Sequence, residues 1–139
     1  MKRSKQARLR EFSTASREQI KARDNGRCIF CAAGYRMEGA TWYGQSLLSI
    51  MHYIPRSHGG LGIPQNGAVG CQYHHEMLDN GSKGNRDEML EIFKSYLKDS
   101  YPDWDEKNLD GHDIADIAEY DTGELELIIL HIGGGVESL

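Results

Sequence analysis

A chain of 139 residues, 39% apolar and 27% charged, is sized for one domain with a modest core, in which a metal staple would matter. No apolar run reaches membrane-spanning length, and the basic start Met1-Lys-Arg-Ser-Lys-Gln-Ala-Arg8 lacks the apolar stretch of a secretion signal, so a cytoplasmic protein is expected. The net charge of −5 excludes a uniformly basic nucleic-acid binder, yet the charge is unevenly divided.

Residues 1–27 carry nine Lys or Arg against Glu11, Glu18 and Asp24. Residues 28–84 balance at three of each sign, and residues 85–139 hold four basic and fifteen acidic groups. A +6 arm thus precedes a neutral centre and a −11 tail. The arm is suited to phosphates and the tail repels them, unless both are simply solvated.

In chain order, Ser16-Arg-Glu-Gln19 reads as a capping box opening a short helix to about Arg23, stopped by the left-handed turn Asn25-Gly26. Cys28-Ile-Phe-Cys31 makes a knuckle, and Gly34 to Gly44 reads as a loop. Leu47 to Ile54 is rich in apolar and β-branched residues and closes at Pro55, a strand with His52 near its end. Arg56 to Asn66 is a glycine-rich loop before a short strand at residues 67–69. A helix from Cys71 to about Leu78 is terminated by Asp79-Asn80-Gly81, and it sets His75 and Asp79 on one face. Asn85 is a candidate N-cap for a helix whose Met89, Leu90, Ile92, Phe93, Tyr96 and Leu97 form a core stripe. Pro102 ends it, the chain to Glu126 is acidic, and Leu127-Ile-Ile-Leu-His-Ile132 reads as a terminal strand.

Three cysteines make an odd number, which argues against a disulfide framework. Cys28-x-x-Cys31 and Cys71-x-x-His74 are instead two half-clips with the spacing of a tetrahedral structural zinc; the bland alternative is three small buried thiols. His75 directly follows the last of these ligands and is left for a different site.

The order Met51-His52-Tyr-Ile-Pro55-Arg56-Ser57-x-Gly59-Gly60, then Asn66, then Cys71-x-x-His74-His75, resembles the HNH endonucleases, and their small phage-encoded members most. The likeness covers roughly Arg23 to Gly81. It implies an α+β fold: a zinc-stapled ββα-metal, treble-clef-like finger flanked by helices. The expected division is a basic arm and short helix (1–27), the finger (28–84), a packing helix (85–104) and an acidic C-terminal extension (105–139). The resemblance also implies metal-dependent hydrolysis of DNA phosphodiesters in a bacterial or phage-infected cell. His52 would be the general base, Asn66 would hold the loop and orient that histidine, and His75 with Asp79 would bind one divalent cation. Independently of the family, an imidazole titrating near working pH suits a base, and one imidazole plus one carboxylate with waters suits Mg²⁺ or Mn²⁺. Cys28, Cys31, Cys71 and His74 would hold structural zinc, and Arg23, Arg27 and Arg56 would meet DNA phosphates.

Met51 departs from the family pattern, which has Asp or His there as a further metal ligand; a thioether is a poor ligand for a hard cation. The competing expectation is therefore a weakened or inactive zinc module that binds a protein partner, or mimics DNA, through its acidic tail. His58 reads as a solvated loop residue, and His112 and His131 have no assigned role.

Overall fold

The computed structural model describes residues 5–81 and 84–110. The expected strand at Leu127–Ile132, His112 and His131 lie outside the described residues. At the centre is an antiparallel pair, β1 (Leu48–His52) and β2 (Gly67–Cys71), with Leu48 opposite Cys71 and His52 opposite Gly67. β1 stops at His52 rather than Ile54 because the next two residues bond to Asn66. Tyr53 N–H donates to the Asn66 carbonyl and Ile54 N–H to Asn66 Oδ1, both at 2.8 Å. β2 runs two residues further than expected and delivers Cys71 as the N-cap of α5 (Gln72–Asn80). Gly81, left-handed at φ 60°, ends α5 as its sequence position predicts.

Successive residues of a strand face opposite sides. Met51, with no exposure, enters the main core with Ala68, Phe30, Leu78, Met89, Phe93 and Leu97. Ile50 and Val69 pack instead with Phe12 and Ile20 beneath α2 (Thr14–Arg23). Gly70 lies so close under Met51 that a Cβ there would sit 2.3 Å from its sulfur, so a larger residue would require the buried Met51 side chain to shift. The apolar stripe is core packing, as expected: Met89, Phe93 and Leu97 of α6 (Asn85–Ser100) are fully buried.

Two caps differ from expectation. α2 begins two residues before Ser16, because Ser13 Oγ accepts the Ser16 N–H at 3.1 Å and the neighbouring Phe12 is anchored in the core. The Ser-Thr-Ala-Ser run offers two capping frames, and burial of Phe12 selects the first. Asn85 is the first residue of α6 rather than its cap, since left-handed Gly84 turns the chain into the helix. Before β1, a four-residue helix α3 (Ile29–Ala32) follows Cys28, and α4 (Trp42–Ser46), capped by Thr41, begins at the end of the expected loop. A short α1 (Lys5–Leu9) precedes α2.

Arg23 corrects the phosphate-contact expectation. All five of its N–H donors are used inside the fold: two on Asp24 (2.7 and 3.1 Å), and one each on Pro64 O (2.9 Å), Gly67 O (2.7 Å) and Tyr101 Oη (3.0 Å). Asp24 also accepts from the Val69 N–H at 2.8 Å and from the Tyr96 hydroxyl, so this ion pair ties α2 to the hairpin and to α6. Arg23→Ala would strand the buried Asp24 carboxylate. A loss of about 3–5 kcal/mol is expected in denaturant unfolding, the range for breaking a buried pair; a change below ~1 kcal/mol would contradict this role.

The Arg56–Asn66 segment is not an open loop. Short 3₁₀ turns at Arg56–His58 and Pro64–Asn66 flank a stretch that pairs with residues 109–110, where Leu61 N–H donates to Leu109 O at 2.9 Å. Leu109 is buried with Leu61 and Ile63, and Trp104 Nε1 donates to Gln65 O at 2.8 Å. Residues 105–110, expected in the acidic extension, therefore belong to the packed fold. No helix among the described residues is long and apolar enough to cross a membrane.

Candidate metal centre and adjoining cleft

The two half-clips come together. Cys28 and Cys31 flank the start of α3, Cys71 ends β2, and His74 lies in the first turn of α5; their ligand atoms all fall within 4.8 Å of one another. His74 Nδ1 lies 3.3 Å from Cys71 Sγ, 3.5 Å from Cys31 Sγ and 3.6 Å from Cys28 Sγ, and Cys31 and Cys71 Sγ are 3.7 Å apart. A tetrahedral ion with Zn–S of about 2.3 Å and Zn–N of about 2.05 Å requires edges of about 3.8 Å (S–S) and about 3.6 Å (S–N). The four separations just given, 3.3 to 3.7 Å, are near those edges, as a cluster able to hold such an ion requires.

His74 Nε2 lies 2.7 Å from the Tyr35 carbonyl, which can only accept, so Nε2 carries the proton and Nδ1 keeps its lone pair toward the sulfurs. Burial, and then the nearby Cys28 sulfur, push the Cys31 thiol up to about 12. Packed sulfurs of this kind ionise together only around a cation, so the chemistry of the donor set fits a structural metal such as zinc.

A second site opens beside this cluster. One cleft of about 660 Å³ is lined by His52, His75, Asp79 and Arg56, all singled out in the sequence, together with Phe12, Glu11, Arg17 and Arg86. His52 projects from the end of β1, packs against Phe12 with ring centroids 4.4 Å apart and planes tilted by 40°, and lies with Nε2 2.7 Å from the Arg10 carbonyl. The proton is therefore on Nε2, which leaves Nδ1 a free base. Burial lowers the His52 pKa below the usual imidazole value, the Arg10 carbonyl opposes that shift, and the charges of Arg56, Arg17 and His75 add to it.

Asn66, fully buried, holds the segment that follows His52. Its Oδ1 accepts the Ile54 N–H, and its Nδ2 donates to Ile54 O (3.2 Å) and Leu61 O (2.8 Å). This is the loop-holding part of its expected role; it makes no direct bond to His52. Asn66→Ala would leave one buried N–H and two carbonyls without partners. About 2–4 kcal/mol of stability should be lost, measured by urea unfolding, and an unchanged midpoint would refute the contact.

His75 Nδ1 is 2.9 Å from Ser49 Oγ, and Nε2 is 3.5 Å from Asp79 Oδ2 one turn along α5. A proton on Nδ1, donated to Ser49, leaves the Nε2 lone pair beside the carboxylate. Two ligands side by side on an octahedral cation lie about 3 Å apart, closer than the 3.5 Å of this pair. Among the described residues, Cys28, Cys31, Cys71 and His74 are the only group of three or more such donors within reach of one ion. Met51 is not a defective member of the cleft: strand alternation turns its side chain into the core, while His52 faces the cleft.

The remaining arginines divide. Arg56 is exposed at the cleft rim, 3.4 Å from Glu11, whereas Arg27 is exposed but does not line the cleft. His58 is exposed on the 3₁₀ turn, in keeping with a solvated loop residue. Sequence reasoning missed Arg17, Arg86 and the Arg10 carbonyl. Arg17 and Arg86 stand on α2 and α6, and no local motif indicates that those helices meet at His52 and His75.

No family model matches this chain, and neither a curated protein nor a solved structure does so.

Proposed function

We propose that the chain is a metal-dependent DNA endonuclease of the HNH type. Zinc at Cys28, Cys31, Cys71 and His74 would staple its fold, and Mg²⁺ or Mn²⁺ would bind at His75 and Asp79. The observation that carries this is the single cleft holding an imidazole with a free Nδ1, an imidazole–carboxylate pair, and the cations Arg17, Arg56 and Arg86. Phosphodiester hydrolysis needs those parts: a base for water, a cation site, and positive charge around the phosphate.

In this reading His52 Nδ1 takes the proton of the attacking water, with the Arg10 carbonyl holding the ring in the required tautomer. Arg17, Arg56 and Arg86 line the same cleft and supply the positive charge that would hold the phosphate. His75 and Asp79 would hold a divalent cation, and the chemistry it would supply is stabilisation of the charge on the phosphoryl and leaving oxygens. His74 of the cluster and the cation ligands His75 and Asp79 share α5, so His74 fixes the place of His75.

Supercoiled plasmid incubated with Mg²⁺ or Mn²⁺ tests this. Wild-type protein should nick it, and His75→Ala should lower the rate by at least about 100-fold while leaving the zinc content unchanged. No nicking with either ion would leave a zinc module without catalysis.

A further inference from the structure

The link between α1 and α2, residues 9–12, bonds to three side chains of the cleft. The carbonyls of Leu9, Arg10 and Phe12 lie in turn 2.8 Å from the Gly62 nitrogen, 2.7 Å from His52 Nε2 and 3.3 Å from Arg17 Nε, and accept from each. The Glu11 carboxylate among them meets Arg56 at 3.4 Å. Two close approaches seat this strap. Phe12 is buried with Ile20 and Val69, and a Cβ on Gly67 would come within 2.5 Å of its ring. Gly62 meets the strap backbone to backbone: a Cβ there would lie 2.1 Å from the Glu11 carbonyl oxygen and 2.6 Å from the Phe12 nitrogen. These neighbours are main-chain atoms, which no rotamer change can move aside.

We infer that this strap positions His52, and that Gly62 and Phe12, which seat the strap, are positioning residues for the proposed cleavage. The inference rests on the nuclease reading and deepens it with residues that act through His52 rather than on DNA. A base must be held in place as well as in the right tautomer. The Arg10 carbonyl fixes one end of the imidazole, and the Phe12 ring, 4.4 Å away, limits its rotation. Both belong to the strap, so the approach of the strap to Gly62 sets where Nδ1 stands. Non-bonded carbon atoms settle about 3.5–4.0 Å apart, so one methyl on Gly62 would drive the strap away by more than about 1 Å. The 2.7 Å bond to His52 does not survive such a shift. Arg17 and Arg56 meet the strap through long side chains, which can follow a movement that the His52 ring cannot.

The test is single-turnover plasmid nicking by the full chain at saturating protein, with Mg²⁺ or Mn²⁺, run as a double-mutant cycle. Gly62→Ala should lower the rate about 10–100-fold in the wild-type background, but less than about twofold in His52→Ala, where no base is left to misplace. Zinc content should stay unchanged. A merely structural residue would lower both backgrounds alike, so equal losses, or none, would overturn the assignment. Proton NMR supplies a readout that needs no cutting. The His52 Nε2–H, sheltered by the Arg10 carbonyl, should give a signal in the wild type that is missing in His52→Ala and in Gly62→Ala. Its persistence in Gly62→Ala would overturn the assignment as well. Should Gly62→Ala fail to fold, Phe12→Leu keeps an apolar anchor and removes the ring beside His52. The same one-sided loss, about threefold or more, is then expected, and equal losses in the two backgrounds sink the strap. Wild type that nicks while the cycle shows equal losses sinks the strap alone, whereas wild type that nicks with neither ion sinks it together with the nuclease reading.

Discussion

Chelating the structural metal proposed at Cys28, Cys31, Cys71 and His74 is expected to unfold the domain rather than loosen one end of it. The four ligands join α3, the end of β2 and the start of α5, and the main core is built around them: Phe30 lies between two of the ligands, and its ring is 5.6 Å from that of His74. Structural zinc contributes about 10–16 kcal/mol of apparent binding free energy in small zinc-dependent folds. A whole domain is stable by only about 5–15 kcal/mol. Removing the ion therefore exceeds what the rest of a core this small can offset. Excess chelator, or Cys71→Ser, should abolish the cooperative melt or lower its midpoint by more than roughly 20 °C, with loss of helical circular dichroism. A chelated protein that melts within a few degrees of the untreated one would remove the metal from the account of the fold. Near-equimolar zinc retained by Cys71→Ser would remove the four-ligand assignment.

His52→Ala should lower the nicking rate by about 10²–10⁴-fold with zinc content preserved. The pH profile gives a sharper test. Only neutral His52 can accept a proton, and burial followed by the charges of Arg56, Arg17 and His75 lowers its pKa against the opposing Arg10 carbonyl. The acid limb of the rate should therefore fall below the ordinary imidazole value of about 6.5. Arg56→Gln removes a positive neighbour, makes the protonated ring easier to form, and should move the limb upward. A limb above that value in the wild type, or a downward move in Arg56→Gln, would show that a different group is the base.

Local signals in the chain were legible where neighbours in sequence supply the whole physical cause. The two half-clips are one-turn motifs, so their ligands could be named from spacing. Gly81 ends α5 and Asn25-Gly26 ends α2, because left-handed backbone favours those residues wherever they occur. The stripe Met89, Phe93, Leu97 reads as core from its period alone. The membership of the cleft was half legible: His52, Arg56, His75 and Asp79 were visible as a pattern, but Arg17 and Arg86 were ordinary surface cations until α2 and α6 were placed.

Arg23 and Met51 show where that kind of reasoning stops. An arginine in a basic stretch reads as solvent-facing, yet Arg23 finds Pro64 and Gly67 carbonyls 41 and 44 residues away and is enclosed by them. At Met51 and His52 the alternation is dictated by the chain, but the core side is chosen only when α6 covers one face of the hairpin. The residue types, the turn-forming positions and the spacing of the zinc-type ligands belong to the sequence by itself, since each depends on contacts within a few residues. The burial of Arg23 and Met51, the tautomer of His52 set by the Arg10 carbonyl 42 residues away, and the meeting of His52 with His75 in one cleft were decided by tertiary packing alone, because each requires partners that only a folded chain brings together.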